Sequence, residues 1–338
     1  MSNVFSFNNV KKAAALVLII LLVTALVPAP VQAAEAKWYK GYPGSKWEPV
    51  KIGDGYFWTD YSDIGHALYY SAEAYGEGVK LADMDKYKYD LGISILYNGS
   101  KVYYTSYNWK VNDYEYLDNT VIRIHSVSKN GKNNKVLKTF KVKDMSPIPD
   151  LLSVYNGRIF FQRYSDEEYT LSSMNMEKNK DGKYLVSNHV KGVWGQKISA
   201  NGRYIYCKNQ EDHYVSSETA VDVKVFDCKE KKVVRTLKNV KGFALTDKHV
   251  WFYKYDSNTE KNILYRTSLD GKSNKEKMMT FGKNKEWTYG AKTASKMYCF
   301  VRDDKTVKYY EFDISKGTKK EISESAYISN AAGGTLGM

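Results

Sequence analysis

Cysteine is scarce in this chain: Cys207, Cys228 and Cys299 are the 3 present among 338 residues. An odd, small number argues against a disulfide framework, and a chain of this length can bury a core without one. Cys207 and Cys228 fall on neighbouring strands of one predicted repeat, so a cross-strand bridge and two buried thiols are both readings. The strict geometry of a disulfide favours the thiols. Histidine is also thin, with 5 residues scattered and no metal-ligand spacing. There is no nucleophile elbow, no His-Glu-x-x-His, no Cys-x-x-Cys and no complete phosphate loop; "DGKS" at Asp270 to Ser273 lacks the upstream glycine. These absences remove the common serine-hydrolase, zinc-peptidase and nucleotide-binding signatures, and no catalytic residue is assigned.

Long apolar runs are missing too, with one exception. Lys11 and Lys12 precede an apolar stretch from Ala13 to Val27, followed by Pro28, Pro30 and the small-residue patterns Val31-Gln32-Ala33 and Ala34-Glu35-Ala36. Charge, a short apolar core and small residues at the cut read as a secretory signal peptide over residues 1–36. The run falls short of the roughly 18 to 20 residues that span a bilayer, and an uncleaved anchor is the other reading. No cysteine lies near the cut, so lipid attachment there is excluded. The expectation is a secreted, extracellular chain with no stable membrane span. Its net charge of +13 favours anionic wall polymers or membrane surfaces over nucleic acid outside a cell, although solubility alone also explains it.

What the sequence has in abundance is aromatic, β-branched strands behind tight turns. "GDGYFWTDY" from Gly53, "YNGSKVYYTSYN" from Tyr97, "YNGRIFFQRYS" from Tyr155, "ANGRYIYCKNQ" from Ala200, "TDKHVWFYKYD" from Thr246 and "ASKMYCFVRDD" from Ala294 share this pattern. The anchors Asp54, Asn98, Asn156, Asn201, Asp247 and Ser295 are spaced by roughly 44, 58, 45, 46 and 48 residues, a blade-sized period. The long second interval comes from an extended loop, Tyr107 to Asn119. Asn-Gly suits a tight hairpin because both central residues need positive φ. A third strand, such as "VDVKVFD" from Val221, and a last short strand, such as "KVVRTL" from Lys232, complete each unit. No long amphipathic helix is evident. Six units of four strands predict an all-β fold: a six-bladed β-propeller of four-stranded antiparallel blades over residues 49–338. Residues 37–48 form an N-terminal segment. Trp38 to Trp47 would close the ring as an outer strand of the last blade, unless Tyr327 to Asn330 does so.

At Phe57-Trp58-Thr59-Asp60 the sequence resembles the Tyr-Trp-Thr-Asp repeat of the low-density-lipoprotein-receptor-type six-bladed propellers. "ILYRTSLDGKS" from Ile263 resembles the third strand and turn of the same repeat, and the "YY" strands and "DGK" turns are similar to those of TolB-like bacterial propellers. The resemblance covers essentially the whole mature chain as repeat architecture. It implies an inter-blade tie for Asp60. The other five units lack that Asp, as at Tyr103-Tyr104-Thr105-Ser106. It implies binding or scaffolding more than catalysis.

The repeat sorts the loops. Turns between first and second and between third and fourth strands are short and Lys-rich, as in "SKNGKNNK" from Ser128 and "SKGTKK" from Ser315. Loops between second and third strands lie at the opposite end and are longer, acidic and aromatic. Their charges sum to about minus ten, against about plus nine for the turns. Variable loops on a rigid scaffold are where binding usually resides. Tyr107, Trp109, Tyr114, Tyr116, Tyr164, Asp166, Tyr169, His213, Tyr214 and Tyr255 are the candidate ligand residues. Rings pack on the apolar faces of sugars, and carboxylates accept hydroxyl hydrogen bonds. Solvated loops with locally packed tyrosines are the plain alternative. His66 beside Asp63 and His213 beside Asp212 stay open as ligands or acid–base groups, whereas His125 and His249 fall on strands and are expected to be packed. Ca²⁺ is the one cofactor the acidic loops leave open, without a consensus loop to hold it.

The sequence thus points to a secreted, monomeric, non-catalytic module whose loop end binds glycan or cell-wall polysaccharide. A protein-interaction scaffold is the second reading and a glycan-active hydrolase or lyase the third. The Lys-rich end would make any electrostatic contact with anionic wall polymer.

Overall fold

The computed structural model describes residues 37–331 except 63–64, 84–89, 108–110, 113–114, 117–119, 143–149, 166–167, 214–218, 283–285, 294–295, 304–305 and 314–317. Among the described residues the fold is all-β, with a 3₁₀ turn at Glu211–His213 and one short α-helix at Glu324–Ala331. Six antiparallel sheets follow one another along the chain, each with four successive strands at its centre or as its whole. The third sheet shows the plan: Asp150–Tyr155, Arg158–Ser165, Glu168–Asn175 and Val186–Lys191 pair in sequence order. The fourth (Val193–Ile198 to Lys232–Val240), fifth (Gly242–Leu245 to Glu276–Gly282) and sixth (Glu286–Thr293 to Thr318–Ile322) repeat it. The second runs from Asp90–Tyr97 to Lys135–Val142, and its long loop carries a two-stranded hairpin, Val111–Asn112 with Glu115–Tyr116. The first is built on Val50–Ile52, Gly55–Ser62, Gly65–Ser71 and Val79–Asp83.

The aromatic second strands explain how the sheets pack. Successive side chains of a strand point to opposite faces, and here both faces are buried. Val102 and Tyr104 join the core cluster shared with the first sheet, while Tyr103 joins the cluster shared with the third. Ile159 and Phe161 face the second sheet and Phe160 the fourth. Tyr204 and Tyr206 face the fifth sheet, whereas Ile205 and Cys207 face the third. In the fifth sheet Val250 and Phe252 look back, and Trp251 looks forward to Phe312 of the sixth at 5.8 Å between ring centroids. Five face-to-face interfaces thus join the six sheets in chain order.

Turn chemistry matches the repeat with one refinement. Asn156 and Gly157 both take positive φ, as the Asn-Gly hairpin requires. At Asn98-Gly99 and Asn201-Gly202 only the glycine does so. There the Asn side chain caps the turn instead: Asn98 Oδ1 accepts from the Lys101 amide at 2.8 Å, and Asn201 Oδ1 from the Arg203 amide at 3.1 Å. Gly202 is irreplaceable on space as well, since an added Cβ would sit 2.8 Å from Ser153 Oγ.

The N-terminal segment departs from expectation. It does not extend the sixth sheet. Tyr39–Gly41 pairs antiparallel with Ile95 to Tyr97 of the second sheet, and Gly44–Ser45 runs parallel to Trp58 and Thr59 of the first. Tyr39–Gly41 satisfies unpaired backbone groups on the free edge of the first strand Asp90–Tyr97, and Gly44–Ser45 does so for the part of Gly55–Ser62 that the short first strand Val50–Ile52 leaves uncovered. Trp38 stacks on Tyr103 at 5.1 Å, and Lys40 pairs with Asp150 of the third sheet at 2.6 Å. Tyr327 to Asn330 are helical rather than a closing strand, and Tyr327 packs edge-on to Phe300 of the sixth sheet. Asp60 also differs from the resemblance: its ion pair among the described residues is with Lys46 of its own sheet at 4.0 Å. Both groups are well exposed, so the contact contributes little.

The cysteines resolve by register. Cys207 stands opposite Lys224, and the Cys228 amide donates to Arg203, so the two lie four positions apart along one ladder. At strand rise that is roughly 13 Å, beyond disulfide reach. Both are buried free thiols, and burial pushes the Cys207 thiol up to about 12.

Because Phe161 is fully buried at the joint of the second and third sheets, Phe161→Ala is expected to cost about 3–5 kcal/mol. Val136→Ala, at an exposed position, should change stability by less than about 0.5 kcal/mol. Urea unfolding of the two variants beside the parent checks both; equal effects would contradict the packing described.

Candidate functional site

The candidate residues belong to the connections between second and third strands, and the structure divides them. Trp109, Tyr114, Asp166 and Tyr214 lie outside the described residues. Tyr107 ends the strand Lys101–Tyr107 opposite Ile122, Tyr116 pairs with Val111 in the small hairpin, and His213 closes the 3₁₀ turn Glu211–His213. Tyr255 sits in the fifth sheet, paired with Asn262, with Lys241 Nζ 5.3 Å from its ring centroid.

Tyr164 and Tyr169 are the pair the fold brings together. They face each other across the hairpin that joins Arg158–Ser165 to Glu168–Asn175, with ring centroids 4.8 Å apart and edge-on. Trp194 of the fourth sheet meets Tyr169 at 4.4 Å, again edge-on. Tyr169 is only 7% exposed, so its role is to hold Tyr164 and Trp194 rather than to offer a face of its own. Its backbone amide donates to Gln210 Oε1 at 2.6 Å, which ties this hairpin to the next sheet.

Beside Tyr164 opens a cleft of about 330 Å³ between the second and third sheets. Its walls are Ile122, Lys138, Thr139, Phe140 and Lys141 from the second sheet, and Arg163, Tyr164 and Val186 from the third. Phe140 forms an aromatic wall, 5.6 Å from the buried Phe161. Arg163 Nη2 donates to Asn188 Oδ1 at 3.2 Å, and its guanidinium carbon lies 6.0 Å from the Phe140 centroid. Lys138 Nζ lies 5.9 Å from the same ring. Sequence reasoning missed Lys138, Phe140, Lys141, Arg163 and Trp194. The signal was available as lysines at 138 and 141 in an outermost strand, and as an Arg preceding the chosen Tyr164. Tyr42 (47% exposed) and Trp47 (85% exposed) were missed as surface aromatics too, having been assigned to a closing strand.

Two Ser–His contacts occur among the described residues, Ser106 Oγ to His125 Nε2 and Ser173 Oγ to His189 Nε2, both at 2.7 Å. Each serine lies within a strand at 1% exposure or less, so no substrate reaches its hydroxyl. Neither imidazole is hydrogen-bonded to a carboxylate among the described residues, and the orienting third member of a nucleophile–base pair is missing with it. His125 stacks on Tyr104 at 4.5 Å, as a packed histidine. No group of three or more His, Cys, Asp or Glu side chains among the described residues is placed to hold a metal. No helix among them is long and apolar enough to cross a membrane.

No family model matches the chain, and no curated protein matches it. Among solved structures, a prolyl endopeptidase shares 15% identity at a TM-score of 0.49, over 92% of this chain and 47% of its own. An uncharacterised protein of Listeria monocytogenes EGD-e shares 11% identity at 0.49, over 88% and 86%. An acylaminoacyl peptidase shares 12% identity at 0.41, over 69% and 38%. The chain spans less than half the length of either peptidase. At these scores and identities the likenesses carry no argument about activity.

The two packed histidines make the fold acid-sensitive. Burial, then Arg123, lowers His125 to about 4; burial, then Arg158 and Lys231, lowers His189 to about 4. The folded chain holds both neutral, whereas an unfolded imidazole protonates near 6.5. Their contribution is therefore complete above about pH 6.5 and is lost as pH falls toward 4. For His125 it is on the order of 3 kcal/mol. The melting temperature should fall steadily from pH 7 to pH 4, and the fall should be shallower in His125→Phe, read by circular dichroism.

Proposed function

We propose that the chain is a secreted, non-catalytic binding module. Its six sheets are the blades of a propeller, and its ligand is a glycan or cell-wall polysaccharide. The cleft carries this reading: the rings of Tyr164 and Phe140 and the hydrogen-bonding groups of Thr139 and Arg163 line the same space. A ring that packs against a pyranose while a neighbouring donor meets a hydroxyl is the chemistry of sugar recognition. Its volume is at the lower end of small-ligand sites, of the size of one or two sugar units. Secretion rests on the leader pattern of residues 1–36.

The second reading is a protein-interaction scaffold. Trp47 favours it, because an indole left 85% exposed on a rigid framework suits the centre of a protein contact.

Co-sedimentation of the purified protein with a panel of insoluble polysaccharides and isolated cell wall separates the readings. Retention that drops about tenfold in Tyr164→Ala and persists in Trp47→Ala is the expected result. No retention on any polymer, together with a protein partner lost in Trp47→Ala, would replace it with the scaffold.

A further inference from the structure

The cleft carries positive charge that no ion pair among the described residues neutralises. Of its eight lining residues three are cations, Lys138, Lys141 and Arg163, and none is a carboxylate. Some cations on other sheets are paired: Lys238 with Asp222 at 2.6 Å, Arg203 with Asp227 at 2.7 Å, Lys296 with Glu311 at 2.8 Å, and Arg266 with Glu276 at 2.7 Å. Neither Lys138, Lys141 nor Arg163 has an ion pair among the described residues. Among the described residues the Nε of Arg163 is buried without a hydrogen-bond partner, and the guanidinium donates to the neutral Asn188. Two of the cations also flank a single ring, Phe140, at 5.9 and 6.0 Å. That ring attracts each of them, but no carboxylate among the residues lining the cleft offsets their mutual repulsion.

We infer that this cleft is an anion site, occupied by a carboxylate- or phosphate-bearing unit of a polymer. The inference rests on the reading of the chain as a glycan-binding module and names its ligand class. Arg163 would meet the anion with a planar, fixed set of donors, the geometry that suits carboxylate and phosphate oxygens. Lys138 and Lys141 would add point charge from the opposite wall. Ile122, Phe140 and Val186 would cover the C–H face of the adjoining sugar or polyol, and Tyr164 would border the opening. The Lys-rich turns at the opposite end differ in kind. Lys129 and Lys132 there are exposed and project into water, so any attraction they exert is screened within about 8 Å at physiological salt.

The test is equilibrium binding of the purified full chain to three soluble polymers at about 0.15 M salt: polygalacturonate, poly(glycerol phosphate) and neutral dextran. The variants are Arg163→Gln, the surface double variant Lys138→Gln/Lys141→Gln, and Lys129→Gln/Lys132→Gln as an equal charge change on a turn. Circular dichroism confirms folding, and the surface double variant keeps the test decisive if Arg163→Gln unfolds. At least one anionic polymer should bind, about tenfold or more weaker in each cleft variant and within about twofold of the parent in the turn variant. Preference between the two anionic polymers distinguishes carboxylate from phosphate. Equal losses in cleft and turn variants would overturn the inference. So would binding of dextran as tight as that of the anionic polymers; if Tyr164→Ala alone weakened it, the glycan-binding reading would survive. No binding of any polymer, with none retained by insoluble wall, would remove that reading and the anion site with it.

Discussion

Everything in this structure depends on sheets that bury both of their faces. A sheet in a two-layer protein needs one apolar face; here each inner sheet is pressed between two neighbours and needs two. That requirement is why the second strands read Val-Tyr-Tyr, Ile-Phe-Phe and Val-Trp-Phe instead of alternating apolar with polar. It also explains the supply of 30 tyrosines. A large ring fills the space between splayed sheets, and its hydroxyl finds a partner inside, as Tyr97 does with Tyr70 and Tyr104 with Asn134. Each neighbour pair thus shares one core, and loss of any joint is felt on both sides.

The same constraint decides where a ligand can go. Faces consumed by packing are closed to solvent, so recognition is left to strand ends, connecting loops and outer edges. The cleft beside Tyr164 is such a place, where the outermost strand of the second sheet and the second strand of the third stand apart. Its floor is the joint itself, with Phe140 resting on Phe161. A site founded on a core contact is held rigidly, which keeps the ordering cost of binding low.

The repeat was legible in the sequence because hairpin turns and aromatic strands recur at a fixed spacing, and both are local signals. The strand boundaries around Arg158–Ser165 or Val221–Asp227 follow from them directly. The site was less legible. Tyr164 was found because it lies at a loop, but Tyr169, three residues beyond Asp166, is turned inward, which only the register across the hairpin reveals. Lys138 and Lys141 belong to a strand that looks like a plain solvent-facing edge, and their proximity to Arg163 is a contact between sheets that no local pattern encodes. The N-terminal segment was misplaced for a related reason. Tyr39–Gly41 carries no label for its partner, and any first-strand edge in the repeat would have matched it equally well.

That segment has a consequence for the order of assembly. It is made ahead of every sheet, yet its partners are distant: Tyr39 pairs with Tyr97, and Lys40 reaches Asp150, which lies 110 residues away. Closing so long a loop gains nothing until both ends are formed, so contacts of this kind arise late in folding. The first residues of the described fold are therefore among the last to settle. Until three sheets stand, the backbone edge of Ile95 to Tyr97 is open to whatever other strand reaches it first.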